Sequence, residues 1–162
     1  MVSREIEANR ISISTLHRKH IRYTKRAEVV TNTTIHLCNL TSIARVKANF
    51  NSSKVYLTTR TLKHLYDKRP AQEYDFLLLN IILILRYPDV IYNNKGGKRG
   101  SVCFVKTKDD IKYFAAIEQN IDSDENYLVT TFAIDDIYLK GYKEIWRWEG
   151  DNLHRNDLDA TL

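Results

Sequence analysis

The residue types that proton-transfer chemistry at a phosphate requires are concentrated between Thr59 and Arg69. Arg60, Lys63, His64 and Asp67 stand at i, i+3, i+4 and i+7, which on a helix makes one polar face. Leu62, Leu65 and Tyr66 are left to pack on the other side. Histidine takes or gives a proton near neutrality, and cations beside it disfavour its charged form, so His64 is a candidate base. Arginine and lysine offset the charge that builds on a phosphorus centre. On spacing alone, the same residues also describe an ordinary solvated helix face.

Further candidates lie on strands and in loops. Lys106 ends an apolar strand pattern from Val102. Thr130 and Thr131 lie in the strand pattern Tyr127–Ala133, where either hydroxyl could hydrogen-bond a phosphate oxygen. Strict alternation places Thr131 with Val129 and Ala133, and Thr130 with Leu128 and Phe132. Lys98 and Arg99, with Lys95, surround glycines in a loop that could approach a polyanion, and Lys68 and Arg69 extend the basic stretch of the helix. His17, Lys19 and Arg22 belong to a basic N-terminal stretch that is a candidate RNA contact. His17 and His20 at i, i+3 lack a carboxylate or cysteine partner, so no metal site is expected there. Cys38 and Cys103 show no CxxC spacing and fit buried thiols in a reducing compartment. With no GxGxxG or Walker A pattern either, no cofactor is expected.

These residues need a scaffold. The chain has 162 residues, 43% of them apolar, which suits one ordered domain. Residues 1–69 carry 14 Lys and Arg against 4 Asp and Glu, and the remainder carries 11 against 16, so one part of the surface suits a polyanion. The N-terminal segment reads either as a helix with a stripe through Leu16, His20, Tyr23 and Ala27 or as a basic hairpin. Short strands are expected at Thr34–Cys38 and Val55–Leu57, and a helical turn capped by Thr41 or Ser42. A helix follows over Arg60–Lys68, and Pro70 separates it from a buried helix over Ala71–Arg86. The apolar run in that helix, interrupted by Asn80, is about half the roughly 20 residues a bilayer needs, so no membrane association is expected. Strands over Val90–Tyr92, Val102–Lys106, Lys112–Glu118 and Tyr127–Ala133 follow, joined by short turns that force antiparallel pairing. The fold class is therefore α+β, with N-terminal helices packed on a curled antiparallel sheet of about four strands. Residues 1–53 form a basic segment of the same domain, 54–148 the core, and 149–162 a polar tail. No signal peptide pattern is visible, so a cytoplasmic setting, in a producing or a target cell, is expected.

The order Val55-Tyr56-Leu57-Thr58, Leu62-x-His64, Arg69-Pro70, Leu85-Arg86-Tyr87-Pro88-Asp89-Val90-Ile91, Phe104-Val105-Lys106 and Val129-Thr130-Thr131-Phe132 resembles the phage-associated branch of the barnase, EndoU, colicin-type tRNase and RelE-like nucleases. The resemblance covers about residues 54–148. It implies a metal-independent endoribonuclease of the toxin or effector kind, in which the RNA 2′-hydroxyl attacks the adjacent phosphate. Carried across, the active groups are His64, Lys106 and Thr131 or Thr130. Where many relatives have a second histidine before the proline, this chain has Arg69, which can clamp phosphate but cannot act as a base. The implied partner is RNA, with tRNA among the candidates, and an acidic antitoxin or immunity protein as a second. Two other readings stay open: an RNA-binding module without activity, and a phage protein-interaction domain.

Overall fold

The computed structural model describes residues 4–96 and 98–150. Along them run α1 (Arg4–His20), β1 (Thr34–Asn39), α2 (Ser42–Lys47), β2 (Lys54–Thr58), α3 (Thr59–Lys68), α4 (Ala71–Arg86), β3 (Val90–Asn93), β4 (Val102–Lys108), β5 (Ile111–Asn120), β6 (Glu125–Ile134), a 3-10 turn (Asp136–Leu139) and β7 (Lys143–Arg147).

Local chemistry sets the helix limits. The Thr41 and Thr58 hydroxyls accept from the Ala44 and Thr61 backbone N–H groups and start α2 and α3. Arg69 precedes proline and is therefore extended, with φ −97° and ψ 145°, so α3 stops there. Helix α4 restarts after Pro70 and buries Leu77, Ile81, Ile82, Ile84 and Leu85 against the sheet. Helix α1 begins earlier than the stripe through Leu16 and Ala27 suggests, and the hairpin alternative is not adopted. Its buried stripe is Ile6, Ile13 and Leu16, whereas Tyr23 and Ala27 sit in turns at φ 67° and 62°.

The sheet corrects the expected topology. It has seven strands in the order β1-β2-β6-β5-β4-β3-β7, rather than about four, and it is open. It is mixed rather than wholly antiparallel, because β2 runs parallel to β6 through Val55–Asn126 and Tyr56–Tyr127. The four expected strands are its centre. The pair β1–β2 extends it at one side, and β7 pairs with β3 at the other. Ile6, Ile13, Leu16 and Leu37 share one buried cluster with α4 and the sheet, so the N-terminal segment helps fill the main core.

A register irregularity between Ala116 and Ile117, opposite Thr130 and Leu128, inserts an extra residue in β6. Strict alternation therefore fails there. Leu128 and Thr131 are both buried, while Thr130 and Phe132 are only half-buried. The two faces of the sheet hold separate clusters. One joins Phe104, Ala115, Ile117 and Leu128 to the helices. The other gathers Tyr92, Cys103, Val105 and Phe114 with Phe132, Tyr138 and Tyr142. Among the described residues no helix is long and apolar enough to cross a membrane.

Candidate functional site

Strand β6 outruns its parallel partner. Where β2 ends at Thr58 the chain turns into α3, and the continuing edge of β6 meets side chains instead of another strand. The Thr61 hydroxyl donates to Leu128 O at 3.3 Å, and Arg69 Nε donates to Thr131 O at 3.1 Å. Glu73 accepts from the Ala133 N–H at 3.1 Å. An unpaired sheet edge is thus satisfied by α3 and the first turn of α4. The Arg69–Pro70 break between these helices is what lets Arg69 reach across.

From this edge Arg69 also reaches the helix-free side. Its Nη2 donates to the Thr130 hydroxyl at 3.1 Å, and its guanidinium carbon lies 4.8 Å from the centre of the Phe132 ring. His64 is exposed on α3. Partial burial, and then the Arg69 and Lys68 cations, hold its imidazole below the ordinary value of 6.5, with Asp67 opposing. The charged form of His64 is thus disfavoured by the same Arg69 guanidinium that bonds the Thr130 hydroxyl. These three groups can accept a proton, hold a phosphate and donate one hydrogen bond.

Beyond Phe132 the aromatic cluster continues. Phe132 meets Phe114 and Tyr138 at centroid distances of 5.0 and 5.3 Å, and Tyr138 stacks on Tyr142 at 5.8 Å. Lys98 and Lys95 lie over the Tyr138 and Tyr142 rings at 5.7 and 4.9 Å. On the neighbouring strands His36, Tyr56 and Tyr127 form a ring ladder with spacings of 5.6 and 5.7 Å.

Of the five residues expected to act on the phosphate, the structure joins Arg69 to Thr130 directly, and His64 on α3 lies within electrostatic reach of Arg69. It does not bring Lys106 or Thr131 to them. Lys106 shares a strand face with Phe104 and donates to Tyr87 O at 2.9 Å, towards the end of α4. Thr131 is 1% exposed, and its hydroxyl is buried without a hydrogen-bond partner beside Leu62, Leu65 and Leu77. The polar face expected on α3 is also divided. Lys63 is buried and bonds Asp67 at 2.7 Å and Lys25 O at 2.6 Å, so it anchors the turn after α1. Arg60 and Lys68 remain exposed, as do Lys19 and Arg22, with Arg22 4.8 Å over the Tyr23 ring. Arg99 pairs with Glu118 at 3.0 Å, while Lys98 joins the aromatic cluster. Among the described residues no three His, Cys, Asp or Glu side chains group as metal ligands would. Cys38 and Cys103 are buried free thiols, both pushed up to about 12 by burial. His154 lies outside the described residues.

His17 is placed by contacts the sequence did not announce. Its Nδ1 meets the Tyr74 hydroxyl at 2.8 Å, and its ring packs against Tyr66 and Tyr74 at 5.8 and 5.4 Å. These three line a cleft of about 410 Å³ together with Arg26, Asp67, Arg69 and Asp75. The His17 pKa is lowered, mainly by burial, with Asp75 raising it and Arg22 lowering it. Tyr66, Tyr74, Asp75 and Arg26 gave no signal in the sequence, because their convergence depends on how α1 packs.

Compared with protein-family models, curated proteins and solved structures, the chain matches none. What the geometry defines is an α+β chain with an open, seven-stranded mixed sheet and a cationic, histidine-bearing edge where α3 meets β6.

Proposed function

We propose that this chain binds RNA across the α3–β6 edge and the neighbouring helix-free face, and cleaves it there without a metal ion. The observation that carries the reading is that Arg69 bonds Thr130 on the β6 edge while its charge also bears on His64 of α3. His64, held neutral, takes the proton of the RNA 2′-hydroxyl. That oxygen bonds to the adjacent phosphorus while the bond to the 5′-oxygen breaks, and the departing oxygen takes a proton from water. A 2′,3′-cyclic phosphate and a 5′-hydroxyl result. Arg69 and Thr130 hold the phosphate oxygens as negative charge builds. Exposed Arg60 and Lys68, with Lys98 over its aromatic platform, supply cations and ring surfaces suited to a single strand.

A second reading, RNA binding without cleavage, is favoured by one observation. Nε and Nη2 of Arg69 already bond β6, and His17 and His36 are held by other contacts. The two readings separate when total tRNA and an unstructured RNA are incubated with the protein in excess chelator. Discrete products ending in cyclic phosphate, lost in His64→Ala, are the expected result. Retention of RNA without products would establish the binding module, and products undiminished in His64→Ala would remove His64 from the chemistry.

A further inference from the structure

We propose that the cleft between the end of α1, the turn that follows it and the α3–α4 junction seats a nucleobase of the bound RNA, next to the phosphate held by Arg69. The proposal rests on the RNA reading above and assigns it a nucleotide subsite.

Four features point to a base. The cleft, at about 410 Å³, falls within the size range of about 300–1,000 Å³ common for small-ligand sites. Its wall is aromatic and held in place: Tyr74 is 3% exposed and bonded to His17, and Tyr66 meets it edge-on at 5.3 Å. Tyr66 and His17 are half-buried, so ring surface remains within reach. Asp67 and Asp75 line the cleft together with Arg26 and Arg69, so its lining is balanced in charge and offers carboxylate acceptors to a ring carrying N–H donors. Asp67 is already engaged by Lys63 and the Ala27 N–H, so Asp75 is the carboxylate open to a base edge.

The location fixes what the base is attached to. Arg69 lines the cleft and also bonds Thr130 on the β6 edge, so one side chain adjoins both places. Exposed Arg26 stands on the outer wall, where a neighbouring phosphate would pass. A strand running over Arg69 could therefore place a phosphate beside His64 and turn an adjacent base onto Tyr66 and His17. Helix α1 and the turn at Tyr23–Ala27 would then be part of substrate recognition, beyond their packing role.

The test is a titration of the full chain with a nucleoside 3′-monophosphate and, separately, with inorganic phosphate, following the His17 and His64 ring resonances by NMR. A His17→Gln variant assigns the His17 signal. The nucleotide should shift His17, and phosphate alone should not. Loss of one stacked base weakens binding roughly 5- to 150-fold, and Tyr66→Leu should weaken binding of a short single-stranded RNA within that range. Arg26→Ala, at an exposed position where folding is not at stake, should weaken it less but measurably. Equal His17 shifts with phosphate and nucleotide would overturn the base seat. So would an unmoved His17 with undiminished RNA binding by Arg26→Ala, and if the wild type still cut RNA, the functional reading would survive that loss. A nucleotide-dependent His17 shift in a protein that neither holds nor cuts RNA would instead keep the cleft and remove the RNA reading.

Discussion

Thr130 and Thr131 are adjacent in β6 and have opposite surroundings. Thr131 points under the helices, where Leu62, Leu65 and Leu77 exclude water and its hydroxyl has no partner. Thr130 is half-buried with its hydroxyl bonded to Arg69. The same division runs across the sheet. The helix side is a largely aliphatic core built on α4, and it also takes Lys106 towards the end of that helix. The helix-free side is aromatic, with Arg69, Lys95 and Lys98 laid over Phe132, Tyr142 and Tyr138. The helix face carries the larger core, and the other carries a smaller, aromatic one with cations laid over its rings. The difference teaches that residue type alone does not nominate a site, since a lysine and a threonine of suitable chemistry lie on the helix side.

That contrast can be broken first at the core. Phe104 is fully buried on the helix side, and Phe104→Ala should cost about 3–5 kcal/mol in urea unfolding. Phe132→Ala, half-buried on the other face, should cost clearly less. Equal losses would mean the two faces are equivalent in the folded protein. Next in size is Arg69→Met, which removes the donor to Thr131 O and the cation over Phe132. A loss of about 1–3 kcal/mol is expected for the uncapped strand edge, and an unchanged urea midpoint would show that the edge does not depend on this side chain.

A smaller effect follows from the histidines. His17 and His64 have folded-state pKa values below 6.5, so the unfolded chain binds their protons more readily. Their stabilising effect is complete above about pH 6.5 and is lost as the pH falls from there through the folded-state values. The urea midpoint should therefore fall between pH 7.5 and 5.5, and a midpoint that rises would reverse the sign. The His17→Gln variant should flatten part of that slope. Smallest of all is Thr131→Val, which replaces an unpartnered buried hydroxyl with a methyl group of similar size. It should leave stability unchanged or slightly raised and leave RNA cleavage intact. A large loss of cleavage would return Thr131 to the reacting centre.

Much of this arrangement was legible where the causes are local. Pro70 and the apolar run from Phe76 to Leu85 mark the break between α3 and α4 and the buried helix, and the four central strands follow from turns and alternation. The attachment of β1–β2 beside β6 was not legible, because parallel pairing brings distant segments together without a turn to announce it. Neither was the extra residue in β6, which moves Leu128 to the face of Thr131 and Val129 to that of Thr130. The inward turn of Lys63 depended on the turn after α1 offering Lys25 O. Lys106 carried no sign of its direction, since alternation says which residues share a face but not which face the helices cover.

The central claim is that the reacting edge lies at α3 and β6 and not on the helix side of the sheet. Single-turnover cleavage of one RNA in excess chelator, by the wild type, His64→Ala and Lys106→Met, tests it most directly. His64→Ala should lose about 10²–10⁴ in rate while still binding RNA, and folded Lys106→Met should cut within a few-fold of the wild type. Full activity in His64→Ala, with activity abolished in a folded Lys106→Met protein, would contradict the account.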